Sequence, residues 1–334
     1  MELADERSMH LQSTSLMSGE PSPCVLTPVY SNPQMIRILG TIFAGLLGLA
    51  FGSFLNVCLS RWPEGESIVR PGSHCRNCDH TLAWWENIPL FSWLFLRGRC
   101  RNCHAWIGWR YPLVELAVAT LWTYAVWSLP QGFLSPETPP TLRIIEANLA
   151  FGQMILDWLL VGLAVLDAEQ LWLPDWITLP GAGFGFLFFI LHVYLNSGRV
   201  LSFYGAEGLQ QRLLVHLASQ RFLAILAAAA LILLIRWLYW LIRRREGIGL
   251  GDAKLMALLA AWLGLPGALL AFALGILLGS ATALVLLALP KRPDSPSAWA
   301  LKKLPLGTFL CIGGIVSSLW GQPLIAAYLR WSGF

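Results

Sequence analysis

Charge is what this chain most lacks. Only 13% of its 334 residues are Asp, Glu, Lys or Arg, about half of the roughly 25% usual in soluble domains. Apolar residues make up 56%, and the mean hydropathy is +0.59. This balance excludes a disordered chain and an ordinary soluble enzyme, and it points to a polytopic membrane protein. The net charge of +4 is small and spread over loops, so nothing supports binding of nucleic acid. Several catalytic signatures are also missing. There is no glycine-rich turn of a nucleotide-binding α/β domain and no evident Ser/His or Cys/His pairing. The glycines of 247–251 follow an Arg-rich helix end rather than a strand and lack Gly-Lys-Ser/Thr, so a phosphate loop is excluded. No internal repeat is evident, and low complexity goes no further than a Leu/Ala bias.

Long apolar runs are abundant. A bilayer core of about 30 Å takes about 20 helical residues. Eight segments qualify: 36–58, 111–129, 147–166, 176–195, 221–242, 253–264, 267–290 and 305–329. The weakest is 253–264, which is short and is followed by Leu265-Pro266-Gly267, so it reads as a half-span or a tilted helix. Residues 1–35 are polar, without a basic start and apolar core. They read as a mobile tail rather than a signal peptide. The predicted fold is therefore all-α and polytopic, with about eight transmembrane helices. Its parts are the tail, a first helix over 36–58, an aqueous loop over 59–110 and a membrane core over 111–334.

Orientation follows from the basic residues. The loops 59–110, 167–175, 243–254 and 291–304 hold 15 of the 23 Lys and Arg, against 7 on the opposite side with both termini. The positive-inside rule places the first set in the cytoplasm and the termini outside.

The loop over 59–110 carries four of the seven cysteines, as Cys75-Arg76-Asn77-Cys78 and Cys100-Arg101-Asn102-Cys103. Two such turns place four thiolates tetrahedrally around Zn²⁺ at about 2.3 Å. A reducing cytoplasm argues against disulfides. Four protein ligands leave no open position for water, so the expected zinc is structural, a staple for a loop too short to bury much core. His74, His80 and His104 are alternative ligands beside the cysteines, and a thiol redox role is a further alternative. Cys58 and Cys311 lie in apolar spans and read as small buried residues; Cys24 in the tail has no obvious partner.

Acidic residues in or beside apolar spans are costly and therefore informative. Glu115 and Asp157 read as polar contacts between helices. Asp167 ends one span and is followed by Leu173-Pro174-Asp175; Asp252 follows Gly249-Leu250-Gly251 and opens another. Taken singly, Asp167 marks a helix end, Asp252 is a first-turn acid and Asp175 caps the next span. Taken together, Asp167 and Asp252 share one depth and one side, as a water-activating dyad requires. Gly249 and Gly251 would permit close approach of a substrate strand.

These elements in this order resemble the bacterial type IV prepilin peptidases over about 44–325. The match includes Gly52-Ser53-Phe54-Leu55-Asn56-Val57, then Arg61. It includes both Cys pairs with Trp85-Glu86-Asn87-Ile88-Pro89-Leu90 between them and Arg110-Tyr111-Pro112-Leu113-Val114-Glu115 after them. It also includes Asp167 with Leu173-Pro174-Asp175, and Gly249-Leu250-Gly251-Asp252 with Lys254. The resemblance implies an inner-membrane aspartyl endopeptidase with Asp167 and Asp252 as the catalytic pair. It implies a cytoplasmic zinc domain with Cys75, Cys78, Cys100 and Cys103 as ligands. It further implies prepilin or pseudopilin substrates of type IV pili or type II secretion, cut on the cytoplasmic side, and N-methylation of the new N-terminus with S-adenosylmethionine. Three departures stand out: the first Cys pair lacks the frequent Pro after its first Cys, the family's Pro-Phe-Gly-Pro stands here as Pro305-Leu306-Gly307-Thr308, and the polar N-terminal tail is longer than the resemblance leads one to expect. Rival readings are a transporter with an Asp relay, which would predict an inverted repeat, and a scaffold whose zinc domain binds partners.

Overall fold

The computed structural model describes residues 33–133, 135, 137–204, 207–245, 249–288 and 304–333. Cys24 and nearly all of the polar N-terminal segment lie outside the described residues. Seven long helices form the body: α1 (Pro33–Arg61), α3 (Arg110–Trp127), α4 (Pro140–Gln170), α5 (Asp175–Tyr204), α6 (Glu207–Arg243), α7 (Leu250–Ala288) and α8 (Leu306–Ser332). A short α-helix, α2 (Phe91–Phe95), and a 3₁₀ turn over Trp84–Asn87 lie in the Cys loop. Among the described residues no strand forms beyond two isolated bridges, His74 with Thr81 and Arg99 with Trp106.

Six of these helices, all but α2 and α3, are long and apolar enough to cross a membrane. α3 has 18 residues, about 27 Å at 1.5 Å per residue. α7 has 39 residues. That is about 58 Å, far longer than a bilayer core of about 30 Å. The excess is resolved at Gly264, whose φ of 76° and ψ of 175° break the helix. This conformation is nearly confined to glycine. Pro266 follows at once. Beyond the break α7 runs antiparallel to α8: Ser317 Oγ donates to Gly267 O at 2.8 Å, Gly313 abuts Ala271, and Gly275 abuts Leu310. Before the break, Leu259 abuts Gly314 of α8, at the level where Ala271 abuts Gly313; the chain therefore turns back at Gly264, and the two segments expected over 253–264 and 267–290 are the arms of one broken helix. Arg221 of α6 donates to Ala260 O (3.3 Å) and Trp262 O (3.4 Å), carbonyls beside the break.

The interior is apolar, as in a soluble protein, but so is much of the outer surface. Leu55, Val118, Leu160, Leu258, Leu259 and Leu310 are fully buried between helices. Phe43, Leu187 and Leu277 point outward and are exposed by 65%, 64% and 65%, as side chains facing lipid would be. Glycines let backbones close: a Cβ on Gly313 would come within 2.3 Å of Ala271 O, and one on Gly52 within 2.7 Å of Glu115 Cα. Close contact of this kind stands in for the hydrophobic drive that lipid cannot supply.

One end of the bundle gathers the chemistry. Trp62, just past α1, stacks edge-on to Trp176 at 5.0 Å and Trp158 at 6.5 Å. Arg110 at the start of α3 bonds Glu169 at the end of α4 at 2.8 Å. The ends of α1 and α4 and the starts of α3 and α5 thus share one face with the Cys loop.

Candidate active site and metal centre

α4 stops because Leu171 adopts a left-handed conformation, with its N–H on Asp167 O, and Pro174 follows. This puts Asp167 in the last turn of α4, its side chain turned toward the first turn of α8. Thr308 N donates to Asp167 Oδ2 at 2.6 Å and Thr308 Oγ1 to the same oxygen at 3.2 Å. The Thr308 hydroxyl also reaches Ala164 O at 3.0 Å. The carboxylate therefore caps a helix N-terminus, where backbone N–H groups are unpaired and the dipole favours negative charge. Gly307 makes room: a Cβ there would lie 2.8 Å from Asp167 Oδ2. Sequence reasoning treated Thr308 only as a departure from a family pattern. A proline at that position would have neither the N–H nor the hydroxyl.

Asp252 is the third residue of α7 counted from Leu250. Its Oδ2 accepts from Gly249 N at 3.2 Å, so the first-turn acid reading is realised. Both aspartates are buried, at 5% and 8% exposure, and each lies within the other's electrostatic reach. Leu173 ties the two sites together, because it abuts Gly251 beside Asp252 and Gly307 beside Asp167. Of the two glycines expected to admit a substrate strand, Gly251 is closed off by Leu173. Among the described residues, Gly249 has only Asp252 Oδ2 and Gly251 N nearby.

Asp175 opens α5 and is exposed; it pairs with Lys254, two residues past Asp252. This ion pair fixes the start of α7 against the start of α5. Asp157 is fully buried and joins α4 to α8 through Ser318 Oγ at 3.3 Å. Glu115 lies beside Ser53 and Asn56 of α1. It also accepts from Leu90 N at 2.8 Å, so it ties the Cys loop down as well as contacting a helix.

The Cys loop is built from two similar knuckles. Cys75 N donates to His80 O and Asp79 N to Cys75 O; Cys100 N donates to Ala105 O and His104 N to Cys100 O. Asp79 and His104 both take positive φ, at 53° and 57°. Cys75 and Cys103 sulfurs lie 3.7 Å apart and those of Cys78 and Cys100 4.0 Å apart. All four lie within 4.8 Å of one another. Four sulfurs about 2.3 Å from one zinc would be about 3.8 Å apart, which this cluster matches. Burial pushes the Cys75 thiol up to about 11. The Ala105 and Asn77 N–H groups bring Cys103 down to about 6. Four thiolates at this spacing need a cation to coexist. Asn77 and Asn102 had gone unnoticed; each donates to a sulfur of the other knuckle, at 3.5 and 3.6 Å. The repeated Cys-Arg-Asn-Cys was the signal. His74 and His80 are engaged elsewhere, with Gly72 O and Glu86.

Behind the knuckles, Trp93 packs on Trp109 at 4.5 Å and Trp106 at 5.9 Å. Glu86 is buried and accepts from Ala83 N at 2.8 Å. That N–H holds its carboxyl below the usual range, with His80 and Arg101 adding to the effect against the opposing cost of burial.

Two outcomes are expected. Metal analysis of the purified protein should find one zinc per chain, and Cys75→Ser/Cys103→Ser should lose it; full metal content in that variant would exclude the site. Gly307→Ala should push the Asp167 carboxylate off α8 and slow any reaction that uses that carboxylate about a hundredfold. Zinc content should not change. An unaltered rate in a kinetic assay would exclude this packing.

The known proteins to which the chain is similar agree with one another. The pattern of the Bacterial Peptidase A24 N-terminal domain matches residues 46–129, and that of the type IV leader peptidase family matches 154–284. A prepilin leader peptidase/N-methyltransferase of Aeromonas salmonicida is 32% identical over 312 residues, which cover 85% of this chain and 92% of that protein. The proteins of that name from Stutzerimonas stutzeri and Pseudomonas aeruginosa are 32% and 33% identical, covering 92% and 86% of this chain and 99% and 93% of theirs. No solved structure matches. The four-cysteine loop, the paired aspartates and this similarity across most of the chain together place the protein in the type IV leader peptidase family.

Proposed function

We propose that the chain is a membrane aspartyl endopeptidase that removes the leader peptide of type IV prepilin-like proteins and then N-methylates the new N-terminus. The observation that carries the reading is that Asp167 and Asp252 are both buried, each on a helix terminus, with Leu173 packed beside both termini. By the basic-residue asymmetry these helix ends face the cytoplasm, in the inner membrane of a bacterium. The substrates are prepilins or pseudopilins, whose own apolar stretch would lie among the spans. Their leader junction would enter at the open side of Gly249.

The residues supply the chemistry of amide hydrolysis. A neutral amide needs a nucleophilic water and a polarised carbonyl. Two close carboxylates cannot both ionise cheaply, so the pair holds one proton and titrates as a unit. Asp167 has two donors from Thr308, whereas Asp252 has one from Gly249. Hydrogen bonds to a carboxylate favour its charged form, so Asp167 is the base and Asp252 carries the shared proton. Asp167 takes a proton from water as the oxygen attacks the carbonyl carbon. Asp252 gives its proton to the carbonyl oxygen. The tetrahedral intermediate then collapses: the C–N bond breaks as Asp167 gives its proton to the amine, and Asp252 takes back a proton from one of the two hydroxyls, which restores the starting state of the pair. Zinc on Cys75, Cys78, Cys100 and Cys103 is structural and holds the loop against α1 and α3. S-adenosylmethionine, when bound, supplies the methyl group. The transporter reading leaves the cysteine centre unexplained, and no inverted repeat supports it.

Asp167→Asn and Asp252→Asn should each lower cleavage of a prepilin substrate by about a thousandfold or more, with zinc content and folding retained. Asp175→Asn, which loses an exposed ion pair, should cost far less. A principal variant that cleaves at a near-normal rate would overturn the dyad.

A further inference from the structure

One cavity lies away from the aspartates. It has a volume of about 610 Å³ and sits between the Cys loop and the ends of α1 and α3. Its walls include Asn56, Glu86, Trp93, Trp106, Tyr111 and Glu115. Three of these are buried polar side chains: Asn56 at 2%, Glu86 at 6% and Glu115 at 7% exposure. Asn56 Oδ1 and Glu86 Oε1 are buried without a hydrogen-bond partner; the nearest charge on Glu86 Oε1 is Arg101, at 4.0 Å. An unpaired buried acceptor costs about 1–3 kcal/mol, so two in one cavity point to a ligand that donates to them.

The cavity also indicates what that ligand is. It is far too large for a metal ion and falls within the roughly 300–1,000 Å³ of small-molecule sites. Two buried carboxylates and an amide oxygen suit cationic groups and hydroxyls. The aromatic side chains Trp93, Trp106 and Tyr111 on its wall suit an aromatic ring or a cation. Arg101 at the rim suits a carboxylate. A nucleoside bearing an amino acid and a positive sulfonium has all of these features. We infer that this cavity is the methyl-donor site, binding S-adenosylmethionine with Asn56 and Glu86 as direct contacts. The inference rests on the methylation reading above.

Its position suits the second reaction. Ser60 on the cavity wall accepts from Arg110 Nη2 at 2.7 Å, and Arg110 Nη1 holds Glu169 at 2.8 Å, two residues past Asp167. One ion pair thus joins the cavity wall to the helix end that bears the dyad. The freed N-terminal ammonium first gives one proton to a cavity carboxylate. Its lone pair then forms the N–C bond, and the breaking S–C bond leaves its electrons on sulfur. The products are a methylammonium and a neutral thioether.

The test is equilibrium binding of radiolabelled S-adenosylmethionine to the full-length protein in detergent, with ultraviolet crosslinking to locate the label. The wild type should bind, with the label on peptides that line the cavity. Asn56→Ala and Glu86→Gln should each weaken binding about tenfold or more. Zinc content checks that the Cys loop is intact, and Asn56→Ala, on α1, keeps the test sound if Glu86→Gln disturbs that loop. Wild-type binding that Asn56→Ala leaves unchanged, or a label elsewhere, overturns the site alone. A wild type that cleaves prepilin but binds no S-adenosylmethionine overturns both the site and the methylation reading and leaves the peptidase standing.

Discussion

The arrangement depends on one contact, the carboxylate of Asp167 on the first turn of α8. A helix start buried at a membrane border has unpaired N–H groups, and a carboxylate there lacks water; each satisfies the other. The contact needs a residue without a side chain at Gly307 and donors at Thr308, and it fixes where α8 begins. From there α8 packs against both arms of α7, the first of which opens with Asp252. The same contact therefore sets the depth of one aspartate and, through the helices, the position of the other.

A second constraint comes from buried acids that serve as anchors. Glu115 on α3 accepts from Leu90, and Glu86 accepts from Ala83. Arg61, at the end of α1, donates to Ser67 O at 2.8 Å and Pro71 O at 2.7 Å. The bonds of Glu115 and Arg61 hold a loop with little apolar core of its own against the bundle, and that of Glu86 braces the loop internally. The cysteine cluster closes that loop from the other side. The cavity between them is walled by both the helix ends and the cysteine loop.

Much of this was legible in the sequence because its signals are local. The Cys-x-x-Cys pairs announce a tetrahedral sulfur site, and a charged residue in an apolar run is conspicuous wherever it falls. Leu265-Pro266-Gly267 flagged the region where α7 breaks. Contacts made across the fold were not legible. Thr308 looked like a harmless variation until α8 was seen to begin beside Asp167, 141 residues earlier in the chain. Glu115 was expected to bridge helices, and its bond to the Cys loop depends on how α3 meets that loop. Gly251 seemed as open as Gly249, but Leu173 packs against it. Arg221 counted only toward the outer charge, whereas it bonds carbonyls beside the break at Gly264.

The central claim is that Asp167 and Asp252 act as one catalytic unit with one shared proton. The most direct measurement is a double-mutant cycle on the single-turnover rate of prepilin cleavage, using the two Asn variants and their combination. Groups that work as a unit are strongly non-additive. The account predicts that the double variant is about as slow as either single variant. Losses that multiply, as for two independent groups, would contradict it.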